Sequence, residues 1–222
     1  MKGLESVFQS LLVDIAAHQN DPATHIKELL AYHEMFKQVE KFIKQNPNTV
    51  FISTSDHETG GLTVGTKYAL KPEYQWFPHV LSKVKHSTEY MANQLMYVPE
   101  VERKAFAEKI IVDWMGIENA TDQEIDSLAT SKSVQKAQSV MSVIQSIRAS
   151  IGWTTNGHTG VDVNIYSNAA LKGNIENTDI GKFMEKLTGV DLKEVTKILK
   201  KDYEPPFDSP VVENELHDLK VE

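Results

Sequence analysis

Apolar residues recur along the chain in two rhythms, and the change from one to the other marks its elements. Ile26, Leu29, Leu30, Phe36, Val39 and Ile43 recur at helical spacing, which predicts one apolar stripe lying against a sheet. Asn20 or Asp21 supplies the cap, and Pro22 fits the first helical position because no amide donor is needed there. The helix should end near Gln45, because Pro47 in Asn46-Pro47-Asn48 pushes the residue before it out of helical geometry. Thr49 to Thr54 is then β-branched and aromatic and reads as a buried strand, with Gly60-Gly61 as a turn beyond it. Helix, turn, strand and loop make one α/β unit.

From Gly65 to about Ile151 the pattern changes. Pro72, Pro78 and Pro99 punctuate a stretch holding Tyr68, Tyr74, Trp76 and Phe77, and helical spacing then takes over. Lys104 to Met115 predicts an amphipathic helix, Thr121-Asp122-Gln123-Glu124 a capping box, and Ser133 to Ile147 a further helix. Trp76, Phe77 and Trp114 read as core. Alternation at Val161, Val163 and Ile165 predicts a last strand reaching Tyr166. A helix from Asn177 should stop at Gly189, and Asp191 should start another through Leu192, Val195, Ile198 and Leu199.

At 222 residues and 41% hydrophobic content the chain can build one domain or two small ones. A net charge of −8 offers no basic footprint and argues against nucleic acid as partner. The absence of cysteine removes disulfide frameworks and thiolate metal sites. Met1 to Leu12 carries only Lys2 as positive charge and lacks the apolar run of a secretory signal. No window approaches the roughly 20 apolar residues of a transmembrane segment. Asn119-Ala120-Thr121 would accept a glycan only in a secretory lumen.

Candidate chemistry gathers in three places. Asp56-His57 stands at the C-terminal end of the predicted strand, where open α/β sheets bind ligands. Asp14 and His18 are four apart, so one helical turn points both the same way. His158 lies between Gly157 and Gly160, just before the last strand. Singly, such residues are ordinary: Asp56 can cap a turn and His57 can face water. Together, carboxylate oxygen and imidazole nitrogen are good zinc donors. His25, His33, His79, His86 and His217 read as structural or solvated.

The stretches D-I-A-A-H-Q-N-D-P from Asp14, S-T-S-D-H-E-T-G-G-L from Ser53 and G-W-T-T-N-G-H-T-G-V-D-V-N-I-Y from Gly152 resemble the C-terminal half of alkaline phosphatases. The fungal vacuolar type is the nearest, and P-E-Y-Q-W-F-P-H-V-L and K-H-S-T-E-Y-M-A look like it too. The resemblance runs from about Val13 to Leu199. It implies the C-terminal part of a three-layer α/β/α sheet over 13–222, with a helical, crown-like insertion at about 67–150, a flexible tail at about 203–222 and an atypical start at 1–12.

By the same resemblance Asp14, His18 and His158 ligate one Zn2+, and Asp56 and His57 help ligate a second. The implied reaction is hydrolysis of phosphate monoesters through a phosphoserine intermediate, for which paired divalent metals are suited. The Mg2+ glutamate of the family falls on Gln9, an amide and a poorer ligand for a hard cation. The family's serine nucleophile, phosphate-binding arginine and bridging aspartate have no counterpart here, so no catalytic residue is assigned. The expectation is a truncated gene product, inactive alone, whose complete form would dimerise through the insertion and sit at the vacuolar membrane or lumen. The alternatives are a remnant without catalysis and an interaction module using the helical insertion.

Overall fold

Asp21 caps the longest helix. Its carboxylate accepts the Thr24 N–H at 3.0 Å and the Thr24 hydroxyl at 2.7 Å, and Pro22 occupies the first turn. Asn20, the other candidate cap, instead turns the chain with φ 50°, between α1 (Leu11–His18) and α2 (Pro22–Gln45). Asp21 is fully buried and also accepts the Thr88 N–H at 2.8 Å, so one carboxylate starts α2 and ties it to the start of α4 (Thr88–Tyr97).

This computed structural model describes residues 11–66, 74–169 and 171–202. The first two stretches form one compact unit, and 171–202 belongs to a second. Gln9, Tyr68, Pro72, His217 and the stretch from Tyr203 onward lie outside the described residues.

In the larger unit β1 (Ile52–Thr54) pairs antiparallel with β4 (Ile165–Ser167), and β2 (Thr63–Val64) pairs antiparallel with β3 (Ile151–Gly152). Both predicted strands are shorter than their sequence runs, and the last is shifted towards Ser167. Register Thr54 to Ile165 and Thr63 to Gly152 fixes both ends of loops 55–62 and 153–164, so these loops must face each other.

The helices between the ladders are α3 (Pro78–Ser82), α4, α5 (Arg103–Lys109), α6 (Asp122–Ala129) and α7 (Val134–Ala149). Met91, Leu95, Ile110, Ile111, Met115, Leu128 and Met141 are fully buried among them. The predicted 104–115 helix changes to a π-turn at Ile110–Trp114, with Met115 N–H donating to the Ile110 carbonyl at 2.9 Å. The capping box of Thr121 and Glu124 forms as the sequence predicts. Trp114 packs half-buried on Phe106, His86 and Tyr90. Trp76 departs from the core reading, at 47% exposure.

The stripe of α2 divides. Ile26 packs on the helical core and Phe36 sets its ring edge against Phe51 and Tyr166 of the β1/β4 region. Leu29 and Leu30 stay 51% and 60% exposed, because a ladder of three residue pairs is too small to cover the whole stripe. In the second unit α8 (Asn177–Thr188) ends at Gly189 with φ 73°, and Asp191 accepts the Lys193 N–H at 2.9 Å to start α9 (Leu192–Asp202). Among the described residues no helix is long and apolar enough to cross a membrane.

Candidate metal centre

The helical pitch of α1 sets the Asp14 carboxylate 3.5 Å from His18 Nε2. His18 Nδ1 lies 2.6 Å from the Asn156 carbonyl oxygen, which can only accept, so Nδ1 carries the proton. Asn156 returns a bond from its side-chain amide to the His18 carbonyl at 3.0 Å, clamping the histidine to loop 153–164. That loop brings His158 Nε2 to 3.3 Å from His18 Nε2.

Loop 55–62 supplies the other side. Asp56 is widely exposed, with Oδ2 3.4 Å from His57 Nε2. The His57 ring stacks on His158 with centroids 3.5 Å apart. His57 Nδ1 donates towards the Glu58 carbonyl at 3.1 Å and the Thr59 hydroxyl at 3.2 Å, while that hydroxyl donates to Asp14 at 3.0 Å. One threonine thus links the Asp14 and His57 groups.

With Nδ1 protonated on His18 and His57, each Nε2 keeps a lone pair, and that lone pair faces another acceptor. His18 Nε2 looks at Asp14 and His57 Nε2 looks at Asp56. A cation placed between such acceptors would be favoured there. Asp14, His18, Asp56, His57 and His158 are therefore brought together pair by pair from three segments. The full set is not closed: among the described residues no group of three or more His, Asp or Glu side chains could hold a metal ion in this conformation.

The glycine pair lets the loops approach. A Cβ on Gly61, at φ +57°, would stand 2.8 Å from Thr154, and one on Gly60 would stand 2.6 Å from the Trp153 ring. Gly60 donates to the Gly157 carbonyl at 2.8 Å and its own carbonyl accepts from Thr154 N–H at 3.0 Å. Glu58, Asn156 and Thr159 were not singled out by the sequence reading. They are polar loop residues without periodicity, and only the tertiary fold brings Glu58 to Thr159 and Asn156 to His18. The Thr159 hydroxyl beside Glu58 holds its carboxyl below the usual range. His25, behind Trp153 at 6.2 Å, has its imidazole pKa lowered by burial, against the pull of Asp21 and Glu58. A separate cleft of about 430 Å³, lined by Phe77, His79, Lys83, Glu118 and Arg148, contains none of the five residues.

The alkaline phosphatase family model matches residues 10–190. An alkaline phosphatase of Schizosaccharomyces pombe is 39% identical over 205 residues, covering 90% of this chain and 38% of that protein. The repressible alkaline phosphatase of Saccharomyces cerevisiae is 35% identical, covering 92% of this chain and 40% of its own length. The crystal structure of a cold-active alkaline phosphatase from a psychrophilic Shewanella superposes with a TM-score of 0.68 at 29% identity, over 81% of this chain and 44% of that one. The likeness fits a layered α/β/α fold with helical insertions. The chain spans about two fifths of the length of these curated relatives.

Proposed function

Since this chain belongs to the alkaline phosphatase family, we propose that it is the C-terminal, metal-holding part of a phosphomonoesterase of the fungal vacuolar type. Asp14, His18 and His158 hold one zinc, and Asp56 and His57 contribute to a second. The observation that carries this reading is the set of facing lone pairs. Zinc with nitrogen ligands at about 2.0–2.1 Å in a tetrahedron sets its donors about 3.3–3.4 Å apart. The His18 to His158 nitrogens stand at 3.3 Å, and Asp14 to His18 at 3.5 Å. The donors thus fit zinc in type, and these two spacings match a pair of ligands sharing one ion.

Bound zinc supplies Lewis acidity to a phosphoryl group and to the departing oxygen. The chain's own residues do the holding. The Asn156 carbonyl fixes the tautomer of His18 and so leaves Nε2 as the nitrogen that can ligate. Thr59 aligns Asp14 and His57 at once. No serine here is assigned as nucleophile, and a phosphoserine route needs one from the rest of a complete enzyme. We assign 67–150 as the insertion that carries dimer contacts in that enzyme. A module acting through this insertion is the second reading, favoured by its possession of most of the buried core.

Zinc titration of the whole chain against a chromophoric chelator tests the proposal. Uptake should be clear in the unsubstituted chain and fall by at least about 10-fold in His158→Ala, which removes a ligand outright. Aryl phosphate hydrolysis by the chain alone should lie many orders of magnitude below that of a full-length relative. Comparable turnover would overturn the incomplete-site reading, and metal-independent capture of a partner through 100–150 would favour the module.

A further inference from the structure

We propose that Glu58 is a positioning residue that fixes the separation of His57 and His158 by clamping the two facing loops. The inference rests on the zinc reading above and deepens it. Backbone bonds from Gly60 reach Gly157, Thr154 and Thr155, all on the N-terminal side of His158. The next register lock on the other side is Ile165 opposite Thr54. Between them, the Thr54 hydroxyl donates to the Asn164 carbonyl at 3.3 Å beside the strand end, and Glu58 supplies the side-chain tie next to His158. One of its carboxylate oxygens accepts the Gly61 N–H of its own loop at 2.8 Å, and the other accepts the Thr159 N–H at 3.2 Å and the Thr159 hydroxyl.

The placement in sequence gives the clamp its meaning. Glu58 directly follows His57, and Thr159 directly follows His158. Fixing Glu58 to Thr159 therefore holds His158 from its C-terminal side while the Gly60 to Gly157 bond holds it from the other. His158 lies between these two ties and His57 directly before the Glu58 one, and their imidazoles stack with centroids 3.5 Å apart. Bonds to an ionised carboxylate are the stronger kind, which suits a tie in a loop open to water. Both oxygens of Glu58 are engaged in these ties, which gives it the part of a support for the donor set.

The test uses the full chain and zinc ion alone, with two readouts: affinity by chelator competition, and thermal melting without metal. Glu58→Ala should weaken zinc binding by about 10-fold or more, as loss of a ligand-supporting partner does, while metal-free melting is little changed. Thr159→Val should weaken it less, since its N–H remains. The double variant should match Glu58→Ala, because the hydroxyl has then lost its only purpose. Glu58→Gln, with one accepting oxygen, should recover part of the affinity. Unchanged zinc affinity in Glu58→Ala beside a zinc-binding unsubstituted chain overturns the clamp alone, as does a drop confined to metal-free melting. An unsubstituted chain that takes up no zinc overturns the zinc reading and the clamp with it.

Discussion

Gly61 shows how a single atom decides whether the site can form. Its φ of +57° is a left-handed conformation that costs a side-chain-bearing residue about 1–2 kcal/mol. An added Cβ would also drive into Thr154, an overpacking cost of about 1–3 kcal/mol. Gly61→Ala should therefore lower unfolding stability by about 2–4 kcal/mol in urea melts, with weaker zinc uptake. His25 makes a prediction of opposite character. Burial lowers its folded pKa below the ordinary 6.5, so the unfolded chain takes up a proton while the folded chain remains neutral. The stabilising contribution is present above the ordinary value and lost as pH falls through the folded one. Urea midpoints between about pH 7 and about pH 5 should drop more steeply in the unsubstituted chain than in His25→Gln.

At the scale of elements, α6 and α7 are joined by one ion pair. Glu124 closes the capping box of α6 and also receives the Arg148 guanidinium from the last turn of α7. The two side chains are only 21% and 12% exposed, and Arg148 holds the Glu124 carboxyl below its usual range. Glu124→Ala leaves the Thr121 cap but removes the other half of the capping box and strands a mostly buried cation, and should cost about 2–3 kcal/mol by chemical denaturation. Gln145 on α7 is the contrary case. It is fully buried, and neither its amide nitrogen nor its oxygen has a hydrogen-bond partner. Gln145→Met keeps the volume and removes that penalty, so the melting temperature should rise, by a stability gain of about 1–2 kcal/mol.

Across the larger unit, packing and site are set apart. The fully buried Met91, Leu95, Leu128 and Met141 lie within the helical region 78–151, whereas the sheets are pairs of strands two or three residues long. Ladders this short are marginal by themselves. The facing loops thus ride on a stable helical body and depend on local ties. Amide exchange should show lasting protection in α4 and α7 without metal and rapid exchange at Gly60 and Thr159. Zinc should slow exchange in the loops and leave the helices unchanged. Equal protection of loops and helices in the metal-free chain would contradict this division.

What the sequence settled by itself was local chemistry. Asp21 and Pro22 starting α2, Thr121 and Glu124 boxing α6, Gly189 ending α8 and Asp191 opening α9 all act within four residues, and all stand as read. The metal-type side chains of three motifs were also visible, because Asp and His carry their chemistry in their names. Strand lengths, the split stripe of α2 and the exposure of Trp76 were settled in three dimensions, since each depends on what lies opposite. So were Glu58, Asn156 and Thr159. A loop hydrogen bond between residues more than a hundred positions apart leaves no period in the sequence: antiparallel register brings Glu58 to Thr159, and the packing of α1 beside loop 153–164 brings Asn156 to His18.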